Sequence, residues 1–239
     1  MKKYTISLFV ALFALVGLAS AQTVALTGAY EGQYVFRGQK ISDNIASGTV
    51  TVSLPSNTEL SVVAYQNTRN KDVSVNNEFD VTLSQGYSVD EVTTVTVGGT
   101  GYFYPAASTS AGETRYTFEA FSSLSYEAFL SPTVTAGYDF RLKQIFVEGS
   151  LSQDVKLPFL ATNWKLVPSV AAGWAGARNL LPEQAGKAVK DSYYYVTPQV
   201  NLVYEIKHVE LSVGYRYNYL FNSANSHNSW VGGAVTVKF

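Results

Sequence analysis

The chain has 239 residues, of which 17 are basic, 18 are acidic and two are histidine, and it contains no cysteine. The absence of cysteine excludes disulfides, a cysteine nucleophile and cysteine-ligated metal, and the balanced charge argues against a nucleic-acid partner. Charged residues make up only 15% of the chain, whereas tyrosine (17) and phenylalanine (13) are frequent. This composition favours strands in which apolar and polar side chains alternate.

Residues 1–21 have the pattern of a secretory signal peptide. Lys2 and Lys3 precede an uncharged apolar run over residues 6–19, and Ala19-Ser20-Ala21 forms a small-x-small cleavage site. The alternative is a membrane anchor, but the run is shorter than the roughly 20 residues that a spanning helix needs. We therefore expect cleavage before Gln22 and one mature domain over residues 22–239.

Twelve segments of the mature chain alternate apolar and polar residues with a period of two, which is typical of half-exposed strands. In the clearest segment, Val209, Leu211 and Val213 face one way and the polar residues between them face the other. Most of the segments have at least the roughly 9–11 residues that a tilted membrane-spanning strand requires. The predicted strands cover residues 24–36, 45–54, 59–68, 75–87, 92–104, 115–127, 132–141, 145–153, 164–175, 192–205, 208–221 and 229–239.

The connections between these strands alternate between short and long. Residues 55–58, 88–91, 129–131 and 206–207 form tight turns, whereas 37–44, 69–74, 105–114, 176–191 and 222–228 are longer and polar or glycine-rich. Short periplasmic turns that alternate with longer outer loops are typical of outer-membrane barrels. Two connections break the pattern: 154–163 is long for an inner connection, and 142–144 is short for an outer one. An even number of strands places both termini on the periplasmic side.

In lipid, only helices and closed barrels satisfy the backbone polar groups, and no segment after residue 21 is long and apolar enough for a spanning helix. We therefore predict an all-β fold, a transmembrane antiparallel up-and-down β-barrel of about 12 strands with both termini periplasmic. A soluble β-sandwich also has alternating strands and is the alternative. Aromatic residues near the strand ends favour the barrel, because such rings sit at the two membrane interfaces. The predicted outer girdle contains Tyr34, Phe36, Phe103, Tyr116, Phe118, Trp174, Tyr217, Tyr219 and Phe221, and the inner girdle Tyr87, Tyr126, Trp164, Tyr204 and Phe239.

The last strand ends on Phe239, with Val231, Gly233, Val235 and Val237 on the same face. A C-terminal strand of this kind resembles that of bacterial outer-membrane β-barrel proteins. The resemblance implies that this strand closes the barrel and that the final aromatic residue belongs to a signal for sorting.

The first hairpin resembles the opening of the TorF-type family of bacterial porins. Its first strand ends in Tyr34-Val35-Phe36-Arg37-Gly38, and a polar loop from Gln39 to Asn44 follows. A strand, a turn at 55–57 and a strand that ends near Asn67 come next, so the resemblance covers about residues 30–68. It implies a porin-like barrel.

If the strand phases are correct, charged side chains of both signs line the lumen, with acids in modest excess. Charges on the lipid face would cost up to about 2–4 kcal/mol each at the membrane midplane, so their place is the lumen. A water-filled channel with a mild cation preference is the function that we favour. A closed barrel whose charges pair across a narrow lumen, acting through its loops as an adhesin or anchor, is an alternative, because 12 strands lie between filled and open barrels. The predicted pore-lining residues are Glu31, Arg37, Glu78, Asp80, Arg115, Glu119, Asp139, Arg141, Glu148, Lys165, Glu210 and Arg216.

Signals for catalysis are weak, and we expect no enzyme activity. His227 and Ser229 share a strand face, a spacing similar to that of outer-membrane lipid hydrolases, but a third group must orient the imidazole. Asn218 and Asn222 are the candidates for that third group. A polar outer loop explains the same residues without chemistry.

Glu78 and Asp80 are predicted to share a lumen-facing patch that is solvated rather than metal-binding, because Ca²⁺ takes 6–8 oxygen ligands and no supporting cluster is evident. We expect no cofactor and no metal. Pro168 and Pro198 fall in the middle of adjacent strands, where each removes a hydrogen-bond donor, and they are expected to loosen the wall locally.

These inferences place the protein in the bacterial outer membrane. The expected partners are outer-membrane lipid and lipopolysaccharide, the barrel-assembly machinery through the Phe239 end, and small solutes, without nucleic acid. The sequence carries no indication of the oligomeric state.

Overall fold

The computed structural model describes residues 23–68, 77–107, 114–157, 159–160, 163–176, 192–221 and 226–239. The predicted signal peptide lies outside these ranges. Among the described residues, no helix is long and apolar enough to span a membrane.

All strand pairings are antiparallel, and apart from one interrupted strand they join neighbours in the chain. The first strand, Thr23–Phe36, also pairs with the last, as in the partners Ala25 and Lys238, so the sheet closes on itself. The strands are β1 (Thr23–Phe36), β2 (Gln39–Ser53), β3 (Thr58–Asn67), β4 (Asn77–Ser88), β5 (Thr93–Phe103), β6 (Tyr116–Tyr126), β7 (Thr133–Asp139), β8 (Gln144–Ser152), β9 (Val155–Lys156), β10 (Trp164–Ala175), β11 (Tyr193–Ile206), β12 (Val209–Phe221) and β13 (Ser226–Lys238).

The two short strands β8 and β9 form one strand of the wall. Ser152 pairs with Ser169 of β10 and Val155 pairs with Leu166, so the register against β10 is the same on both sides of residues 153–154. The wall therefore has 12 strands, which confirms the predicted antiparallel up-and-down barrel. The predicted inner connection over 154–163 is too long, because the strand continues to Lys156.

The interruption between β8 and β9 lies opposite Pro168. The carbonyl of Pro168 accepts the N–H of Gln153 at 3.1 Å, but the proline has no N–H to return. Pro198 interrupts the pairing of β11 with β12 in the same way, because Thr197 and Pro198 have no partner residues on β12. Between β10 and β11 the pairing is continuous from Trp164 to Ala175. Pro168 thus interrupts the pairing of β10 with β8 and β9, and Pro198 interrupts that of β11 with β12. The pairing between β10 and β11 is uninterrupted.

Exposed apolar side chains cover the outside of the wall. Leu83, Val213 and Val231 are 57%, 52% and 56% exposed, and the residues beside them in sequence face the lumen. The aromatic residues Phe103, Tyr116, Phe118, Phe221, Tyr87, Tyr126 and Phe239 are also exposed near strand ends, as the predicted girdles require. Tyr34 and Phe36 were wrongly assigned to the outer girdle. Both line a cavity inside the barrel, because the β1–β2 hairpin bends inward.

The barrel has two different ends. At the terminal end, Val24 and Phe239 exchange backbone hydrogen bonds, and the connections are mostly tight. One of these turns is fixed by Asp90, whose side chain accepts the N–H groups of Val92 and Thr93 at 2.9 and 2.7 Å. These hydrogen bonds lower the pKa of Asp90 below its usual value. At the opposite end, the hairpin end, longer connections join β3–β4, β5–β6 and β10–β11.

Replacement of Val213 by arginine tests the outward assignment. The side chain faces outward in the middle of β12, so we expect V213R to lower the free energy of unfolding in phospholipid vesicles by about 2–4 kcal/mol. The measurement is urea unfolding of the refolded chain. The matched control is Ser212→Arg, whose side chain faces the lumen and is expected to cost clearly less. Equal losses for the two variants would contradict the assignment.

Candidate functional site

The β1–β2 hairpin ends in a two-residue turn. Phe36 pairs with Gln39, and between them Arg37 and Gly38 have φ angles of 47° and 74°. Positive φ at both central residues matches a type I′ turn, which suits the twist of a hairpin and favours glycine at its second position. The predicted polar loop over 39–44 is therefore wrong, because these residues belong to β2.

A β-bulge changes the direction of this hairpin. Tyr34 pairs with Ser42 but Val35 pairs with Lys40, which leaves Ile41 without a partner residue in the ladder. An extra residue in one strand bends the pair and increases its twist. Phe36 and Ile41 then pack against Tyr102 and Tyr104, on the inside of the barrel.

The tip of the hairpin crosses the lumen and reaches the far wall. Arg37 forms an ion pair with Glu119 of β6, and it donates to Gln144 of β8 at 2.7 Å. Asn218 of β12 donates to the carbonyl of Gly38 at 2.7 Å. The partners lie 82, 107 and 180 residues away in sequence, on three separate strands. The tip thus bridges the lumen rather than standing above it.

The bridge is nearly dry. The Arg37 side chain is 8% exposed and that of Glu119 is 5% exposed. The guanidinium lies over the rings of Phe36 and Phe146, at 4.6 and 3.6 Å from their centroids. A charged pair with so little water is tolerated only where hydrogen bonds and well-placed rings replace the solvent. Gly38 packs directly on the Tyr195 side chain, where a Cβ atom would collide.

A polar chamber lies beside the tip. Its volume is about 380 Å³, within the range of pockets that hold small molecules. Arg216 forms an ion pair with Glu31 at 2.9 Å, and the indole N–H of Trp230 donates to the same carboxylate at 2.9 Å. A second cavity of about 280 Å³ shares Ala171, Thr197 and Gln199 with the chamber. The lumen thus has room for small polar molecules next to the bridge.

Glu148 belongs to the same chamber. The hydroxyl of Tyr195 donates to the Glu148 carboxylate at 2.7 Å. Tyr195 therefore links the chamber to the hairpin tip, since its ring also packs on Gly38.

Glu78 and Asp80 lie at the start of β4, facing inward. They are only 4% and 8% exposed, so the predicted solvated patch is wrong. Glu78 lines a very small cavity together with Arg37, Glu119 and Asp139.

Of the other predicted pore-lining residues, Asp139 lines this small cavity, whereas Arg115 and Arg141 lie at the hairpin end. Asp139 is buried and accepts the N–H groups of Arg141 and Leu142, which shapes the β7–β8 turn. The Arg141 guanidinium lies over the exposed ring of Tyr116 at the hairpin end. Arg115, also at the hairpin end, is exposed and donates to the carbonyl of Ala107.

The last two predicted residues lie towards the terminal end. Lys165 pairs with Asp154 and Glu205 at 3.0 and 2.7 Å. Glu210 forms a long, exposed pair with Lys238 at 3.4 Å. None of these three pairs touches the chamber. Around the tip and the chamber, the structure brings together the predicted residues Glu31, Arg37, Glu78, Glu119, Asp139, Glu148 and Arg216.

Gln144 and Tyr195 are site residues that no sequence pattern indicates, and the sequence indicates Asn218 only as a candidate third group for hydrolysis. Gln144 and Asn218 have almost no exposed surface and hold the hairpin tip. The strand phase does place Asn218 on the polar face. No sequence pattern connects a neutral side chain with a turn 180 residues away.

His227 and Ser229 face away from the lumen. Both side chains are exposed, and the imidazole stacks on Tyr217 with ring centroids 6.2 Å apart. Asn218 points into the lumen, where it donates to Gly38 and accepts from Thr197. It therefore cannot orient His227. The other candidate, Asn222, lies outside the described residues.

The chain matches no family model and no curated protein, but it does match solved structures. The NanC porin has a TM-score of 0.54 at 13% identity, over 90% of this chain and 98% of NanC. An outer membrane channel from Pseudomonas putida F1 has a TM-score of 0.57 at 12% identity, over 92% and 96%. The chain shares the fold of outer-membrane porins. LpxR from Salmonella typhimurium matches with a TM-score of 0.52 at 11% identity, over 90% and 99%.

These similarities confirm the barrel. Identities this low show the fold alone. The resemblance of the first hairpin to the TorF-type family stays a prediction.

Replacement of Gly38 by alanine tests the bridge. The residue has φ of 74° and packs on Tyr195, so we expect G38A to lower the free energy of unfolding by about 1–3 kcal/mol. The control is Gly28→Ala, because a Cβ at Gly28 meets nothing within 4 Å. G28A is expected to be neutral or slightly stabilising. Urea unfolding of both variants provides the comparison, and an unchanged G38A would contradict the packed tip.

Proposed function

We propose that this chain is a porin-like channel of the bacterial outer membrane, through which small hydrophilic solutes pass without catalysis. The observation that carries the proposal is the polar chamber of about 380 Å³ enclosed by a wall with an apolar exterior. An apolar exterior suits lipid, and an interior of ion pairs and hydroxyls suits water and polar solutes. The shared fold of NanC and the Pseudomonas channel supports this function by analogy.

The hairpin tip sets the narrowest part of the pathway. Arg37 and Gly38 span the lumen at the hairpin end, so solutes pass beside the tip or when it moves. Its polar attachments are the Arg37 bonds to Glu119 and Gln144 and the Asn218 bond to Gly38. Loss of one attachment should therefore widen the pathway without breaking the wall.

The charge of the lumen favours cations and neutral solutes over anions. Around the tip and chamber, Glu31, Glu78, Asp80, Glu119, Asp139 and Glu148 outnumber Arg37 and Arg216. Excess acid in a pore repels anions by ordinary electrostatics. The KdgM porin was solved in complex with disordered oligogalacturonate. An acidic ligand of that kind does not suit this chamber, because Glu31 already neutralises Arg216.

The orientation follows from the same proposal. Both termini lie at one end, and we place that end in the periplasm and the hairpin end outside. Contacts with lipid and lipopolysaccharide would then be made by the exposed outer wall. The Phe239 end would bind the barrel-assembly machinery. The resemblance of the first hairpin to the TorF-type porins agrees with this proposal.

Lipid hydrolysis receives no support from the site. LpxR shares the fold. Asn218 points into the lumen, however, so among the described residues it does not orient the imidazole of His227 for Ser229.

Single-channel recording in planar lipid bilayers tests the proposal. We expect discrete conductance steps from the wild-type chain, with a reversal potential of mild cation preference in a KCl gradient. Arg37→Ala removes the bond to Glu119 and Gln144 and is expected to raise the conductance severalfold. The control Lys40→Ala removes a positive charge from the same hairpin, but its side chain pairs with Asp43 outside the bridge.

Two outcomes would contradict the proposal. Silence from wild type and R37A, with folding verified by heat-modifiable gel mobility, would indicate a closed barrel that acts through its loops. An equal rise for K40A and R37A would show that the tip is not the narrowest part.

A further inference from the structure

Aromatic rings form part of the wall of the polar chamber. Tyr34, Tyr65, Tyr195 and Trp230 all line this cavity of about 380 Å³. The rings of Tyr34 and Tyr65 are stacked, with their centroids 5.2 Å apart. The indole N–H of Trp230 donates to Glu31 at 2.9 Å, which fixes the position of the Trp230 ring. Because the faces of aromatic rings carry partial negative charge, a wall of this kind attracts cations.

The chamber also contains one carboxylate that no basic side chain neutralises. Arg216 forms its ion pair with Glu31, and Arg37 forms its ion pair with Glu119. Glu148 is the remaining acid of the chamber lining, and in the part of the chain that the structure describes it has no ion pair. One negative charge of the chamber is therefore left for a solute.

The hydrogen-bond donors of the chamber already bind its own acceptors. The hydroxyl of Tyr195 donates to Glu148 at 2.7 Å, and the side chains of Trp230 and Arg216 both contact Glu31 at 2.9 Å. An ionised carboxylate can accept about four hydrogen bonds, and among the described residues Glu148 accepts the one from Tyr195 alone. The chamber thus has spare acceptors rather than spare donors, which favours a solute that is positively charged.

The volume of the chamber limits the solute to a small molecule. Since one water molecule occupies roughly 30 Å³ of liquid, a cavity of about 380 Å³ has room for a solute of roughly ten non-hydrogen atoms. Arg37 and Gly38 of the hairpin tip also line the chamber. A solute on its way past the tip therefore contacts Glu148 and the aromatic rings.

We propose that the chamber binds small organic cations, with the charged nitrogen near Glu148 and the carbon atoms against the aromatic rings. The inference rests on the proposed channel and names the class of solute that it takes. The Glu148 carboxylate repels an anion, and a neutral molecule of the same shape lacks the attraction to both the carboxylate and the rings.

Quenching of tryptophan emission measures this binding on the folded barrel without a bilayer. The complete mature chain is refolded in detergent and titrated with N-methylpyridinium, a flat organic cation that quenches indole emission on contact. Choline is then added as a competitor. We expect a saturable part of the quenching that choline reverses and that its neutral isostere dimethylbutanol does not. This part should disappear in W230F, because Trp230 is the tryptophan in the chamber lining.

Replacement of Glu148 by glutamine tests the role of the carboxylate. The amide of E148Q keeps an oxygen for the Tyr195 hydroxyl but removes the charge, so we expect the affinity for choline to fall at least roughly fivefold. The matched control is E210Q, which removes an acid that pairs with Lys238 outside the chamber and should change the affinity less than about twofold. If E148Q does not fold by gel mobility, Y195F replaces it. That variant keeps the ring on Gly38 but frees the carboxylate, and it must bind choline more tightly.

The outcomes decide between the site and its alternatives. The inference is overturned by wild-type chain without choline-reversible quenching, by equal competition from dimethylbutanol, or by equal affinities of E148Q and E210Q for choline. An unchanged affinity in Y195F, where that variant is used, also overturns it. The channel and the site fail separately. Conductance steps without choline binding contradict the site alone, whereas choline binding by a barrel that is silent in bilayers contradicts the channel alone.

Discussion

The structure depends on the closure of the backbone hydrogen-bond ladder between β1 and β13. In lipid, each unsatisfied N–H or C=O group costs several kcal/mol, so an open edge is not tolerated. The pairing of Ala25 with Lys238 and of Glu31 with Gly232 removes that edge. Once the wall closes, every strand has one face on the outside of the barrel and one in the lumen. The strict alternation of side chains then follows from geometry alone.

Closure also explains where proline is tolerated. Pro168 and Pro198 stand on neighbouring strands, and each lacks the N–H that would point away from the other. The ladder that they share is therefore complete. The two missing N–H donors belong to two different strand pairings, so no single pair of strands loses both. A wall of this length accommodates one missing bond on each seam because the neighbouring rungs keep the register, as the unchanged register of β8 and β9 shows.

Much of the wall could be predicted from the sequence, because a period of two is a local signal. The alternation around Val213 gave the strand, its phase and its outward face. The hairpin was harder, since Gln39 to Asn44 are polar and resemble a loop, and nothing local reveals that a bulge at Ile41 turns them inward. Tyr34 and Phe36 were misplaced for the same reason. Their aromatic character suits a membrane girdle and a packed lumen equally.

Only some residues of the candidate site could be predicted from the sequence. Arg37 is predicted to line the lumen because it is charged and lies on the inward phase of its strand, and it does hold the bridge. Gln144, which binds Arg37, and Asn218, which binds Gly38, are neutral, so a search for charged lumen residues does not find them. Glu78 and Asp80 were expected to be solvated, because a sequence shows which face a side chain occupies but not how much water reaches it. Burial there is created by Tyr34 and Tyr104, which arrive from other strands.

The bridge imposes an order on folding. Arg37 and Gly38 belong to the first hairpin, whereas Asn218 lies 180 residues later in the chain. Contacts of such high sequence separation form late, because the intervening chain must be ordered first. The tip therefore completes its attachments only when β12 has joined the sheet, because Asn218 supplies one of the three. Full attachment of the tip is therefore a property of the completed barrel and not of any part of it.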